Sequence, residues 1–160
     1  MDQEVKRRVL RLLTYGLYVL TTRHGDEISA STVNWVSQAS FTPPLLMLAI
    51  KRGSRTHELI ERSNTFVLNI LGSDQKDVAQ SFFKETTVEG NRINGLPFEP
   101  GPITGAPVLT ELPAWVECKV RSAVKDGDHT VFVAEVVEVG LRRPNAKPLV
   151  MWDTGWFYGG

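Results

Sequence analysis

Ser37–Ile60, SQASFTPPLLMLAIKRGSRTHELI, contains the series of features that decides the fold. A small polar patch meets a double proline, Pro43-Pro44, and six apolar residues follow from Leu45 to Ile50. A continuous apolar run of this kind predicts a strand buried on both faces. Directly behind it stand Lys51, Arg52, Ser54, Arg55 and Thr56. Ser54 or Thr56 then caps a helix that runs to about Ser63. The first turn of a helix has free N–H groups and the positive end of the helix dipole. Hydroxyls and cations gathered there predict an anion site, with phosphate as the natural occupant. The plainer reading of the same residues is a capped helix with surface charges.

Upstream, YGLYVLTT (from Tyr15) is rich in aromatic and β-branched residues and predicts a strand that ends at the RHGDE turn. ISASTVNWVSQASF follows and reads as one strand with many hydroxyls. Its polar residues are Ser29, Ser31, Thr32, Asn34, Ser37, Gln38 and Ser40, with Trp35 among them. A solvent-facing strand alternates cleanly, and this one does not. Irregular small polar residues also suit a pocket wall that offers partners to a heterocycle. Downstream, TFVLNIL predicts another strand and SDQKDVAQSFF a second helix capped by Ser73. Residues 84–110 hold four glycines and four prolines and read as a long surface excursion. PAWVECKVRSAV and HTVFVAEVVEVGL predict a long hairpin turning at Asp126-Gly127. The stretch PLVMWDTGWFYGG predicts a further strand or hairpin. Its aromatics Trp152, Trp156, Phe157 and Tyr158 serve either to close a barrel or to cover a partner's pocket. Near the start, Val5, Val9, Leu12 and Leu13 share one face of a short helix whose other side is basic.

Six or seven strands and two or three short helices, joined mostly by hairpin-length turns, predict a mainly β, largely antiparallel fold. Closure into a barrel would remove its edges. The 160 residues are read as one domain, 1–160, long enough for a real core. Eighteen basic and eighteen acidic residues cancel, which argues against nucleic acid or an anionic membrane as partner. The longest aliphatic run is far short of the roughly 20 residues of a membrane span. A single cysteine, Cys118, fits a reducing cytoplasm and reads as core. No metal cluster, Ser-His-Asp spacing, P-loop or dinucleotide fingerprint occurs. An enzyme without obvious catalytic side chains borrows its chemistry from a cofactor. Among the histidines, His129 starts a strand after the Asp126-Gly127 turn, where it is either a solvent-exposed turn residue or a residue on a pocket rim.

These motifs, in the order YGLYVLTT, ISASTVNWVSQASFTPPLLMLAIKRGSRTHELI, FVLNIL, APVLTELPAWVECKV, GDHTVFVAEVVEV and PLVMW, resemble the flavin reductase-like family of FMN-binding split barrels over about residues 10–158. The resemblance implies a six-stranded antiparallel Greek-key split β-barrel with two or three short flanking helices. It implies a homodimer with flavin near the subunit interface. It implies that Thr32, Val33, Asn34, Trp35, Ser37 and Gln38 line the isoalloxazine ring, and that Lys51, Arg52, Ser54, Arg55 and Thr56 hold the flavin phosphate. His129 would stand near the nicotinamide as the catalytic histidine. The expected cofactor is FMN, with FAD possible, and the expected electron donor is NADH or NADPH. The implied activity is NAD(P)H-dependent flavin reduction, with electrons leaving to free flavin, iron or a redox protein. WVSQASF and FVLNIL are also similar to flavin domains attached to rubredoxin or diiron modules. The rival reading is therefore an electron-transfer module without its own NAD(P)H site.

Overall fold

The computed structural model describes residues 1–160. Helix α1 (Gln3–Leu10) is capped by Asp2, whose carboxylate accepts from the Val5 N–H at 2.9 Å. Strands β1 (Tyr18–His24) and β2 (Glu27–Val33) form a hairpin through Gly25-Asp26. Next come β3 (Val36–Ser40), β4 (Leu45–Lys51), α2 (Arg55–Ser63), β5 (Thr65–Ile70) and α3 (Lys76–Ser81). Four short strands follow: β6 (Val88–Glu89), β7 (Arg92–Ile93), β8 (Leu96–Pro100) and β9 (Pro107–Leu109). The long strands β10 (Ala114–Val124) and β11 (His129–Leu141) come next, then a 3-10 turn at Met151–Thr154.

The architecture is mainly β, with one large antiparallel sheet of seven strands in the order β2-β1-β5-β10-β11-β4-β3. Its end strands β2 and β3 do not pair with each other, so the sheet is not the closed six-stranded barrel that the resemblance implies. The stretch Ile28–Phe41, expected as one strand, breaks at Asn34-Trp35 into these two edges. Only those two residues separate Val33 on one edge from Val36 on the other, so the sheet must curl until its edges approach there. The break is held by Trp35, whose carbonyl accepts from the Ala49 N–H at 3.0 Å, and by the buried Asn34 amide, 2.9 Å from Met151 Sδ.

Strand β4 departs from the expectation of burial on both faces. Leu46, Leu48 and Ile50 point into the core, whereas Met47 is 43% exposed and Ala49 faces a cavity. An apolar run does not reveal that one face serves something other than core. Residues 84–110 are a surface excursion only in part. They form the small sheet β6-β7-β8-β9, and Ile93, Val108 and Leu109 are fully or almost fully buried. The breakers supply its turns, with left-handed backbone at Asn94 and Gly95. The stretch after Pro148 makes isolated bridges to Gly16 and Gly72 rather than a strand or hairpin. The second helix starts at Lys76 behind Gln75, not at Ser73, because the Gln75 side chain turns back to accept the Gly72 N–H.

Two cores result. One, around Leu17, Val19, Phe82, Leu109 and Leu149, joins β1 to α3 and the small sheet. The other, around Leu20, Leu48, Ile60, Phe66 and Phe132, lies between the large sheet and α2. Buried Asn69 on β5 ties the first core together. Its amide donates to the Val19 carbonyl and Thr21 Oγ1, and its oxygen accepts from the Leu109 N–H at 2.9 Å. Asn69→Ala strands that N–H and two acceptors away from water. Urea unfolding should show a loss of about 2–4 kcal/mol, the scale of buried unsatisfied polar groups.

Candidate active site

The site forms at the junction of β4 and α2. Strand β4 ends at Lys51, and Gly53 turns the chain with φ of 81°, a conformation that favours glycine. Ser54 caps α2: its hydroxyl donates to the Lys51 carbonyl at 2.9 Å and accepts from the His57 N–H at 3.1 Å. The Ser54 N–H itself donates to Lys51. Of the four N–H groups that a helix start leaves over, those of Arg55 and Thr56 therefore stay free. Thr56 is buried, and its hydroxyl joins Ser29 Oγ at 2.8 Å and Ser31 Oγ at 2.6 Å. Three hydroxyls from β2 and α2 thus converge beside two unpaired N–H groups.

A cavity of about 560 Å³ opens there. One wall comes from the end of β2 (Ser31, Thr32, Val33, Asn34) and another from β4 (Ala49, Ile50, Lys51). Ser54 and Thr56 form the polar end, and Phe82, Phe83 and Lys84 close it from behind α3. Met151, Trp156, Phe157 and Tyr158 cover it from the far side. A second, polar hollow of about 390 Å³ shares Ser31, Ser54, Thr56 and Lys84 and adds Ser29, Arg55 and Thr86. The volumes are those of small-molecule sites, and the large cavity has mostly apolar walls with a few convergent polar groups.

Of the residues expected from the sequence, Thr32, Val33, Asn34, Lys51, Ser54 and Thr56 line the large cavity and Arg55 the polar hollow. Arg55 is also held in ion pairs with Glu27 and Glu58, both at 2.9 Å. Arg52 turns away, donating to the carbonyls of Lys125 and Gly127. Ser37 and Gln38 lie exposed on edge strand β3, outside the lining. Trp35 lies beyond the cover, 4.5 Å from the His129 ring and 5.3 Å from that of Tyr158, and its Nε1 is buried without a partner. His129 does not line the cavity itself. Its Nδ1 lies 2.8 Å from Asp128 Oδ1 and its Nε2 2.6 Å from the hydroxyl of Tyr158, which does. The bond from His129 holds the Asp128 carboxyl below its ordinary range. Burial, helped by the Asp128 charge, raises the Tyr158 phenol.

Sequence reasoning did not find Phe82, Phe83, Lys84 or Met151 as lining residues. The signal was a pair of aromatics with a lysine directly after a short helix, a position that chain order alone does not connect to β2. Trp156, Phe157 and Tyr158 line this chain's own cavity. Cys118 is buried, with its thiol pushed up to about 12 by desolvation and then by Glu117, so it offers no nucleophile.

Residues 10–160 match the flavin reductase like domain family, and the chain belongs to it. The NADH-dependent flavin reductase StyB of Pseudomonas fluorescens is 32% identical over 160 residues, which cover 99% of this chain and 91% of that protein. The styrene monooxygenase flavin reductase of Pseudomonas putida S12 superposes with a TM-score of 0.76 at 30% identity, covering 92% of this chain and 91% of that one. The flavin reductase PheA2 gives a TM-score of 0.78 at 27% identity, covering 94% and 93%.

His57, in the first turn of α2, is a buried brace. Its Nε2 lies 2.7 Å from Thr130 Oγ1 and its Nδ1 3.1 Å from Glu61 Oε1, so α2 is tied to the strand that begins with His129. Burial lowers its pKa from the ordinary 6.5; Glu61 opposes this, while Lys125 and Arg52 add to it. An unfolded chain therefore binds this proton at higher pH than the folded one. The stability that neutral His57 contributes is complete above the unfolded value and is lost as pH falls below about 6.5 towards the lower folded value. Urea midpoints should drop across that window, and His57→Gln should flatten the drop. An unchanged slope in the variant would remove His57 as its source.

Proposed function

We propose that this chain is an NAD(P)H:flavin oxidoreductase whose flavin lies in the large cavity. The observation that carries this reading is the division of that cavity into two ends. Leu17, Ile50, Phe82 and Met151 offer an apolar slot for a planar ring, while Thr56, Ser31, Lys84 and the free N–H groups of Arg55 and Thr56 gather at the other end. A ring with a phosphorylated side chain matches both ends at once. FMN fills this description, and the polar hollow past Thr56 leaves room for the remainder of FAD. Bound flavin supplies the acceptor for a hydride delivered by the nicotinamide.

The protein's own contribution is binding and orientation. Thr56 and Ser31 share hydroxyl hydrogens that can turn towards an anion, and the α2 dipole adds to the attraction. Asn34 and Thr32 are pinned, to Met151 Sδ and to the Ala79 carbonyl at 2.7 Å, so the ring wall is rigid before ligand arrives. Preset walls place the two reacting rings without further ordering cost. His129 belongs at the nicotinamide end, steadied by Asp128.

We read the protein as a homodimer. Val5, Val9, Leu12 and Leu13 are each more than half exposed, and Phe41 is 92% exposed. This much uncovered apolar surface suits a partner, and a second copy is the simplest one. A single buried thiol fits the cytoplasm, and no helix is long and apolar enough to cross a membrane.

The deciding experiment is an anaerobic titration of the flavin-reconstituted protein with NADH and NADPH. Bleaching of the flavin absorbance is expected. Bound flavin that neither donor bleaches would favour the electron-transfer module instead. A narrower test concerns the phosphate end. Thr56→Val keeps the shape but removes the hydroxyl. Charge-assisted hydrogen bonds are worth about 1.5–3 kcal/mol, so FMN should bind about tenfold weaker or more. Riboflavin, which lacks the phosphate, should be nearly unaffected. Equal losses for both ligands would place the phosphate elsewhere.

A further inference from the structure

Tyr158 has no role in the scheme above, yet its hydroxyl makes the contact that closes His129 off. The His129 side chain is only 12% exposed although it starts a strand at a hairpin mouth. Trp35 lies against its ring, and Tyr158 meets both rings edge-on, 5.8 Å from His129 and 5.3 Å from Trp35. The chain around Tyr158 is anchored to Arg11, the residue that follows α1. Arg11 Nε donates to the Gly159 carbonyl at 3.3 Å, and its guanidinium sits 5.0 Å from the centre of the Phe157 ring.

The chemistry of the contact is directional. Asp128 is 90% exposed and ionised, so it accepts only, and the 2.8 Å contact keeps a proton on His129 Nδ1. In the neutral ring Nε2 is then an acceptor, and Tyr158 O–H is the donor that fills it at 2.6 Å. We propose that Tyr158 is a specificity-determining latch: its hydroxyl occupies the one acceptor that His129 offers, and an electron donor that carries an N–H group, such as the nicotinamide carboxamide, must replace it. The inference rests on the reading of His129 as the nicotinamide residue. A donor without that N–H cannot replace the phenol and takes nothing from His129.

The test uses stopped-flow bleaching of the flavin-loaded full chain with NADH and with the reduced 3-acetylpyridine analogue, which has a ketone in place of the carboxamide. The proteins are wild type, Tyr158→Phe, His129→Ala and the double variant. Tyr158→Phe keeps the ring and loses only the hydroxyl. Half-saturating NADH should fall about three- to tenfold, the scale of one neutral hydrogen bond, with the limiting rate changed less than the half-saturation. The acetylpyridine analogue should show no such gain. In the His129→Ala background Tyr158→Phe should have no effect on NADH half-saturation. If His129→Ala weakens NADH but Tyr158→Phe leaves it unchanged or weakens it, the latch is wrong and the His129 reading stands. If His129→Ala changes nothing, both are overturned. An equal gain for the ketone analogue would show a general opening of the cavity and would also overturn the latch.

Discussion

Everything at the site depends on how β4 hands the chain to α2. Six residues, Lys51 to Thr56, end a core strand, reverse through a left-handed glycine and start a helix. The Ser54 hydroxyl satisfies one helix N–H and one strand carbonyl, which fixes the helix axis relative to the sheet. That fixed axis brings Thr56 against Ser29 and Ser31 of β2, a strand at the opposite edge of the large sheet. The same junction donates from the Arg52 N–H to the Asp128 carbonyl at 2.9 Å, which sets the hairpin that presents His129. One turn thereby positions both the polar end of the cavity and the hairpin that carries His129.

The curled sheet explains why the junction can do this. Seven strands in a flat ribbon would hold β2 and β4 far apart. The twist of the sheet and the two-residue link at Asn34-Trp35 bring its edges together, so the ends of β2 and β4 become facing walls. The cavity is therefore the space left where the sheet fails to pair with itself. Its cover is supplied by Met151 and the residues from Trp156 to Tyr158, which return over the gap and are tied to Arg11 just past α1. No residue of helix α1 is fully buried, and Val5 and Val9 are each more than half exposed.

Polar groups are arranged by a consistent rule. Those that build the frame are buried and paired, as with Asn69 and His57 between Thr130 and Glu61. The hydroxyls of Thr56 and Ser31 pair with each other and also line the cavity. Trp35 Nε1 is the exception, buried without a partner at the His129 and Tyr158 cluster.

The sequence by itself determined the local elements whose signals are short in range. The β10–β11 hairpin at Asp126-Gly127, the Ser54 cap, the strand at TFVLNIL and the buried character of Cys118 all follow from turn chemistry, capping and apolar pattern. The cations and hydroxyls after β4 raised the expectation of an anion site, and the hydroxyls on β2 that of a pocket wall. Tertiary structure alone decided which of these groups meet. Ser37 and Gln38 fell on the exposed edge and Arg52 on the hairpin, because strand register and the direction of the turn at Gly53 decide where each points. Phe82, Phe83 and Lys84 joined the cavity through packing of α3 on the first core, a contact that no local pattern encodes. The small sheet hidden in residues 84–110 was obscured for the same reason: two- and three-residue strands carry no periodicity, and it is their pairing with one another that makes them strands.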